Sequence, residues 1–318
     1  MALERFAGRR EDDRLLTGQG RYTADWSLPG QLYGYFLRSD RAHARIVSLN
    51  ASAALKGPGV VGVFTGEDMK HYKTPPPQVK YPIKVPRRDI LARERVRYVG
   101  QEIALVVASS PAAAQDAAEK IEIDFEDLPA VIDAAQALEA GAPLLHDDVP
   151  GNLAATFEYG DGRRAAEALG AAAHVTRLEL ESTRVSGTPM EPKACVAAYD
   201  AASDSYDVFA SSQGLSMMLP NFVAITGVPA ERIRLHARDV GGGFGIRSQA
   251  YPEYIALMHA AKALRRPVKW VGSRFETIVS DHHGRAIDLS GELGLDPEGR
   301  FVALRVRWLC NKIGRAHV

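Results

Sequence analysis

The sequence predicts an α+β protein of two domains. Its 318 residues are long enough to bury two cores. The first part of the chain reads as strand, helix, strand. The second part carries several short apolar runs typical of strands, with two longer runs at helical spacing. We found no internal repeat and no low-complexity tract that would indicate a solenoid or a disordered chain.

The first domain is predicted from three adjoining segments. Residues 102–108 are apolar at nearly every position, which predicts a strand buried on both faces. Ser110 is the expected N-cap of the following Ala-rich helix, and Pro111 its first residue. Residues 121–126 alternate between apolar and polar side chains and predict a strand with one inner face. Residues 127–152 carry Ala, Gly, Pro and acidic residues and are interpreted as a surface linker.

The second domain is predicted from five strands and two helices. The strands are expected at 174–181, 194–199, 207–211, 286–295 and 301–309. The last two are joined by DPEG at 296–299, a favourable type I turn. The helix over 215–226 contains Pro220, which we expect to kink it or delay its start. The helix over 251–264 has Pro252 in its first turn.

Composition excludes several classes of function. The 39 basic residues balance the 39 acidic ones, so nothing favours nucleic acid or an anionic membrane as a partner. No apolar run approaches the roughly 20 residues of a membrane span. Cys195 and Cys310 are too few for a cysteine-ligated iron–sulfur cluster in this chain. An arginine pair near the N-terminus is followed by acidic residues, which does not fit an export signal, so the cytoplasm is the expected location.

The most informative run is GGGFG at 241–245, four glycines around Phe244. Glycine has no Cβ and accepts positive φ, so its N–H groups are free to point at a ligand. The predicted helix after the loop would place a helix N-terminus, which favours anions, nearby. A dinucleotide loop of the G-x-G-x-x-G type is disfavoured because residue 246 is isoleucine. A glycine-rich turn that serves only packing is the alternative.

Together with Gln213 in the run SSQG at 211–214, this loop resembles the molybdopterin-binding large subunits of the xanthine dehydrogenase, aldehyde oxidase and carbon monoxide dehydrogenase family. The resemblance covers roughly residues 5–311. Four further runs resemble family signatures in the expected order. They are LTGQGRY at 16–22, RSDRAHARI at 38–46, YVGQE at 98–102 and PMEPK at 189–193.

The resemblance implies how the chain is divided. An N-terminal extension at 1–15 precedes an α/β hammerhead domain at 16–126. After the linker at 127–152, the first part of a mixed α/β molybdopterin-binding domain occupies 153–311. Residues 312–318 are expected to be a non-native tail, because IGRAHV at 313–318 can be encoded by a common sequencing adapter. The chain is therefore expected to be an N-terminal fragment of a large subunit.

The resemblance also implies a reaction and its cofactors. Family members hydroxylate a small organic substrate oxidatively, with water as the oxygen source; aldehydes, aromatic heterocycles and CO-like molecules remain open. The implied cofactor is molybdenum–molybdopterin in its cytosine dinucleotide form. FAD and [2Fe–2S] clusters would lie on partner chains, an iron–sulfur subunit and an FAD-binding subunit, in a dimer of heterotrimers. The alternatives are a non-catalytic homologue that binds cofactor or partners only and, less favoured, a nicotinamide dehydrogenase.

Site residues are likewise implied by the resemblance. The amide of Gln213 would donate to an oxo ligand of the molybdenum, outside the metal's own ligand set. No residue of this chain is assigned as catalytic, because the family's glutamate base is expected beyond the fragment. The residues implied to cradle the cofactor are Gln213, Gly214, Gly242, Gly243, Phe244 and Gly245.

Five other residues invite functional readings that we do not adopt. Ser248 stands where some family members carry a substrate-orienting glutamate, so a purine substrate is disfavoured. Glu191, flanked by prolines in an extended segment, is interpreted as structural rather than as a base. His282 and His283 are adjacent and would point apart in a strand, unlike a chelating pair. His43 is interpreted as a structural histidine.

Overall fold

The computed structural model describes residues 8–74 and 82–311 of the chain. These residues contain fifteen strands and seven α-helices. The tail predicted at 312–318 lies outside these residues, as do residues 1–7 of the predicted N-terminal extension. The helices are α1 Asp12–Leu16, α2 Ser52–Leu55, α3 Pro111–Ala118, α4 Gly162–Ala171, α5 Leu215–Thr226, α6 Pro252–Leu264 and α7 Arg274–Ser280.

The strands follow the predicted positions closely. Each strand predicted from the sequence is present, with ends that differ by at most two residues. The strands are β1 Leu32–Arg38, β2 Ala44–Asn50, β3 Val60–Thr65, β4 Arg95–Val96, β5 Glu102–Ala108, β6 Glu122–Asp127, β7 His174–Ser182, β8 Val185–Ser186, β9 Ala194–Asp200, β10 Ser205–Ala210, β11 Ile233–His236, β12 Val268–Val271, β13 His283–Gly284, β14 Ile287–Leu295 and β15 Phe301–Cys310.

A mixed seven-stranded sheet contains strands from both predicted domains. Its order is β11-β10-β9-β12-β1-β5-β3. The junction between the two halves is the parallel pair β1–β12, in which Leu32 lies opposite Val268 and Tyr33 opposite Lys269. Strand β9 pairs antiparallel with β12 on one side of this junction, and β5 with β1 on the other. The α+β class is confirmed, while the proposed domain boundaries stay a prediction.

Strand β5 lies at the centre of the packing. All seven of its residues are buried, as its apolar sequence predicts. Leu105 belongs to the main core around α6, whereas Val106 belongs to a smaller core against α3. The two helices therefore cover opposite faces of the strand, because successive side chains of a strand point to opposite faces. Ser110 caps α3 as predicted, its side chain accepting from the Ala113 N–H (3.2 Å).

A separate three-stranded antiparallel sheet, β15-β14-β7, carries an exposed apolar face. Leu180, Leu289 and Trp308 are aligned across the three strands. Leu180 is 54% exposed and Trp308 59%. We call this row, with Leu178 and Val306 in the next register, the apolar sheet face. The hairpin β14–β15 closes at the predicted turn, where the Gly299 N–H donates to the Asp296 carbonyl (3.0 Å).

Helix α5 corrects one expectation. It begins at Leu215 and continues through Pro220, so a start delayed by the proline is wrong. A proline inside a helix removes one backbone hydrogen bond and crowds the carbonyl four residues before it, and tertiary packing offsets that cost here. Met218, Phe222 and Ile225 are buried on the inner side of this helix. In the described residues, no helix is long and apolar enough to cross a membrane.

Candidate cofactor site

Gln213 lies against the glycine loop. Its backbone N–H donates to the Arg247 carbonyl (3.1 Å), and its side-chain Oε1 accepts from the Gly245 N–H (2.9 Å). A backbone N–H can only donate, so the atom that faces it is the amide oxygen, and this contact fixes the orientation of the amide. Nε2 is left as a donor, and it makes no hydrogen bond to any residue that the structure describes.

The loop backbone approaches Gln213 so closely that only glycine fits. A Cβ on Gly243 would lie 2.5 Å from Gln213 Oε1, a separation that real Cβ atoms essentially never show. Phe244 and Gly245 have positive φ, 50° and 86°. Positive φ is uncommon for a residue other than glycine. The side chain of Phe244 is 71% exposed, so the loop holds this ring at the surface of the site.

Three consecutive N–H groups of the loop are available as donors. Across 8–74 and 82–311, the amides of Gly242, Gly243 and Phe244 find no acceptor. Successive backbone N–H groups in a turn of this kind form a concave site for anionic oxygen. Together with Gln213 Nε2, the loop presents donors to a ligand, which fits an oxo-bearing or phosphate-bearing group and does not fit a bare cation.

The helix N-terminus next to Gln213 belongs to α5. The sequence predicted instead that the helix after the glycine loop, α6, would lie close to the site. Gly214 is the N-cap of α5, and its N–H donates to Ser212 Oγ (3.0 Å). The next helix, α6, begins only after the 3-10 turn Ile246–Ser248. Ser248 is buried, and its hydroxyl donates to the Gly245 carbonyl (3.2 Å). This serine closes the loop and leaves no carboxylate at its position.

Glu191 ties the glycine loop to the N-terminal segment. Its Oε1 accepts from the Thr23 N–H (3.0 Å), and its Oε2 accepts from the Gly241 N–H (2.8 Å). The side chain is buried. Both carboxylate oxygens are thus occupied by backbone donors, which confirms the structural interpretation of this residue.

Asp239 makes a second connection between the N-terminal segment and the start of the loop. Its carboxylate accepts two hydrogen bonds from the Arg14 guanidinium (2.5 and 2.7 Å) and one from the Arg21 N–H (2.6 Å). Chiefly because of the bond from Arg14, the pKa of Asp239 is lowered to about 2. The N-terminal segment therefore contacts the loop region directly at Asp239 and reaches Gly241 through Glu191.

Arg247 holds the glycine loop in place through buried hydrogen bonds. It is fully buried, and it donates to Asp281 Oδ2 (2.8 Å) and to the Glu191 carbonyl (3.4 Å). Burial alone would lower its pKa, but Tyr254 and Asp281 raise the pKa of Arg247 above its ordinary value. Because its own carbonyl accepts from Gln213, this arginine connects the glutamine, the loop and the Glu191 segment.

Comparison with known proteins identifies the family. Residues 145–314 match the family described as the molybdopterin cofactor-binding domain, and this match covers more than half of the chain. Residues 17–129 match the aldehyde oxidase and xanthine dehydrogenase a/b hammerhead domain. The chain belongs to the molybdopterin-binding family of xanthine dehydrogenase and aldehyde oxidase. The resemblance inferred from its sequence runs is therefore confirmed.

Individual relatives of this chain agree with the family assignment. It is 34% identical over 310 residues to the carbon monoxide dehydrogenase large chain of Hydrogenophaga pseudoflava, covering 93% of this chain and 38% of that one. It is 35% identical to 6-hydroxypseudooxynicotine dehydrogenase complex subunit gamma of Paenarthrobacter nicotinovorans, covering 93% and 38%. Quinoline 2-oxidoreductase from Pseudomonas putida 86 superposes with a TM-score of 0.88 at 35% identity, covering 95% and 38%. The chain spans about two fifths of the length of these relatives.

This family member also contains a largely buried charged core that sequence analysis missed. Arg38 contacts Glu102 (2.7 Å), Glu253 (2.9 Å) and Glu276 (2.7 Å), and Lys193 contacts Glu253 (2.7 Å). Burial lowers the pKa of Arg38, but the three glutamates outweigh it and raise that pKa above its ordinary value. Three of the runs that carry the family resemblance each supply one of these residues (Arg38, Glu102 and Lys193), so the charged positions within those runs were the available signal.

The histidines singled out from the sequence make local packing and hydrogen-bond contacts, and their structural role stays a prediction. His43 is buried, with its Nδ1 2.9 Å from the Pro129 carbonyl. The His282 ring packs edge-on against Tyr251, and His283 Nε2 lies 3.0 Å from the Ile278 carbonyl. The described residues contain no group of three or more His, Cys, Asp or Glu side chains placed to hold a metal ion.

Proposed function

We propose that this chain forms part of a molybdenum hydroxylase, in which it holds the molybdopterin cofactor through Gln213, Gly214 and the loop Gly242–Gly245. The observation that carries the proposal is the pairing of Gln213 with the loop. One contact fixes the amide, and three adjoining N–H groups are left as donors. Its relatives include a nicotine 6-hydroxylase large subunit, a carbon monoxide dehydrogenase large chain and a quinoline 2-oxidoreductase, and these support the same reaction class.

A molybdenum cofactor bound here would supply oxidative hydroxylation, with oxygen from water and two electrons leaving the substrate, and the residues of this chain would prepare its surroundings. Gln213 Nε2 offers a hydrogen bond to an oxo ligand. The N–H groups of Gly242, Gly243 and Phe244 bind anionic oxygen without changing their own charge, so they stabilise negative groups without requiring a proton transfer. The buried Arg247 holds the glutamine and the loop in one geometry.

The finer parts of the proposal concern cofactor form, partners and substrate. We propose the cytosine dinucleotide form of the cofactor, with electrons leaving through an iron–sulfur subunit and an FAD-binding subunit in a dimer of heterotrimers. The substrate is an aldehyde, an aromatic heterocycle or a CO-like molecule; Ser248 at the position of the glutamate disfavours a purine. A cytoplasmic location fits the two cysteines, which are free.

A variant of equal shape tests the role of Gln213. Glutamate at this position keeps an oxygen for the Gly245 N–H but replaces the Nε2 donor by a second carboxylate oxygen. We expect Gln213→Glu to fold normally and to lose about tenfold in affinity for the cofactor, because one charge-assisted bond is exchanged for repulsion. The measurement is pterin fluorescence and molybdenum content per chain after expression in a host that makes the cofactor.

Gly243→Ala and Gly170→Ala complete this test. Gly243→Ala should lose cofactor because its Cβ collides with Gln213. Gly170 lies in α4 with open space around its Cβ position, so Gly170→Ala is the matched control. A wild-type chain with no pterin, or equal pterin in all four proteins, would contradict the cofactor proposal. Pterin binding without substrate oxidation, even when iron–sulfur and flavin partners are supplied, would favour the non-catalytic homologue instead.

A further inference from the structure

A polar cavity on the hammerhead side of the molecule has no role in the proposed function. Its volume is about 320 Å³, within the range of small-molecule sites. It lies between the segment that contains β4, the β4–β5 connection, and residues 146–148. The lining residues that matter below are Arg95, Arg97, Gln101, His146 and Asp147.

Arg97 directs an oriented guanidinium to this cavity. Its Nε donates to the Leu145 carbonyl (2.7 Å), which fixes the plane of the group. Within the described part of the chain, its two terminal nitrogens make neither a hydrogen bond nor an ion pair. Burial, followed by the neighbouring Arg95, lowers the pKa of Arg97. A partly desolvated cation with two unused donors is the arrangement that binds a planar or tetrahedral oxyanion in bidentate fashion.

Gln101 adds a second fixed donor. It is only 7% exposed, and its Oε1 accepts from the Arg97 N–H (2.8 Å), so the orientation of its amide is determined. Its Nε2 lacks an acceptor among residues 8–74 and 82–311. An oxygen atom of a ligand in the cavity would satisfy it.

The acidic residues of the cavity are largely neutralised by neighbours. Asp89 forms an ion pair with Lys73, and Asp147 contacts Arg95 at 3.2 Å. The lining contains four arginines against three aspartates, which leaves an excess of positive charge. His146 is held neutral, since burial, followed by the charge of Arg97, lowers its pKa to about 4.

From this geometry we propose that the cavity is a binding site for a small oxyanion, a phosphate or a carboxylate, held by Arg97 and Gln101. Either group brings two or more acceptor oxygens on one centre, which match the two donors. Neutral His146 can donate one further hydrogen bond from its ring. The site is separate from the glycine loop and does not depend on the molybdenum cofactor.

The test is a calorimetric titration of the 318-residue chain with inorganic phosphate and, in a second series, with acetate. Ionic strength is held constant with chloride, because exposed charges respond to salt alone. We expect saturable binding of at least one anion. Arg97→Lys keeps the charge but loses the bidentate fork, and Gln101→Glu keeps the acceptor for the Arg97 N–H but loses the donor. Each should weaken binding about tenfold.

Arg93→Lys is the matched control, since Arg93 pairs with Glu67 outside the cavity lining, and this variant should bind the anion within about twofold of wild type. The histidine NMR signal of His146 gives an independent readout: a bound anion offsets the Arg97 charge, so the pKa of His146 should rise. Binding of phosphate alone, of acetate alone or of both identifies the physiological class. No saturable binding, or equal binding by wild type, Arg97→Lys and Gln101→Glu, would overturn the proposal.

Discussion

Removing the charge of Glu253 is expected to destabilise the fold more than any surface substitution. Glu253 is fully buried in the first turn of α6 and accepts from Lys193 Nζ (2.7 Å) and Arg38 Nη2 (2.9 Å). In Glu253→Gln, Arg38 keeps Glu102 and Glu276, whereas the fully buried ammonium of Lys193 loses this carboxylate.

The size of the effect follows from that geometry. Breaking a buried ion pair from one side costs about 3–5 kcal/mol, because the remaining charge stays desolvated. The glutamine oxygen still accepts one hydrogen bond. The destabilisation by Glu253→Gln should therefore lie near the lower end of this range, at about 3 kcal/mol. Total stabilities are typically about 5–15 kcal/mol. Such a loss is therefore readily resolved.

Urea unfolding measures this loss as a shift in midpoint at an unchanged slope. The control is Glu167→Gln, which removes an exposed pair with Arg163 on α4 and should cost about 0.3–0.5 kcal/mol. The double variant Lys193→Met with Glu253→Gln should be more stable than Glu253→Gln alone, because it also removes the buried ammonium of Lys193. A loss below about 1 kcal/mol for Glu253→Gln, or a double variant whose loss equals the sum of the single losses, would refute the reasoning.

Three further predictions concern other parts of the molecule. The pKa of Asp239 is lowered to about 2, so the stability it contributes is present above pH 4 and is lost as pH falls from about 4 to 2. Acid titration of Asp239→Asn should lack that loss; an identical acid profile would contradict it. Trp308→Lys should reduce self-association through the apolar sheet face without changing the circular dichroism spectrum, and unchanged sedimentation would count against this. Ser110→Ala removes the N-cap of α3 and should cost about 1 kcal/mol in urea unfolding, whereas no loss would show that the cap is dispensable.

The sequence predicted what depends on neighbouring residues. Strand β5 and helix α6 could be predicted because buried elements have runs of apolar residues. The cap at Ser110 could be predicted because capping depends on adjacent residues. The charged core was missed because Arg38 and Glu253 are far apart in the chain, and a glutamate in the first turn of a helix reads as an ordinary N-terminal preference. Similarly, the pairing of Gln213 with the loop was inferred only from the family resemblance, since no local pattern connects a turn glutamine to glycines that follow two further elements.

Packing also overrode a local rule in α5. Pro220 predicted a kink or a late start, and the late start is wrong because three buried apolar side chains hold the complete helix against the core. The glycine loop illustrates the reverse case: its composition indicated close approach by some group, and one of the approaching groups is Gln213 of the same chain. The role of these residues in binding a cofactor stays a prediction.

The pairing of β1 with β12 has a consequence for how this protein can evolve. Its two family segments, 17–129 and 145–314, match two separately described domains. They nevertheless share one hydrogen-bonded sheet at Leu32 and Val268, and Arg38 binds carboxylates from both. A recombinant that took each segment from a different ancestor would have to match strand register and buried charge at once. The two segments are therefore expected to be inherited together and to diversify as a single heritable unit.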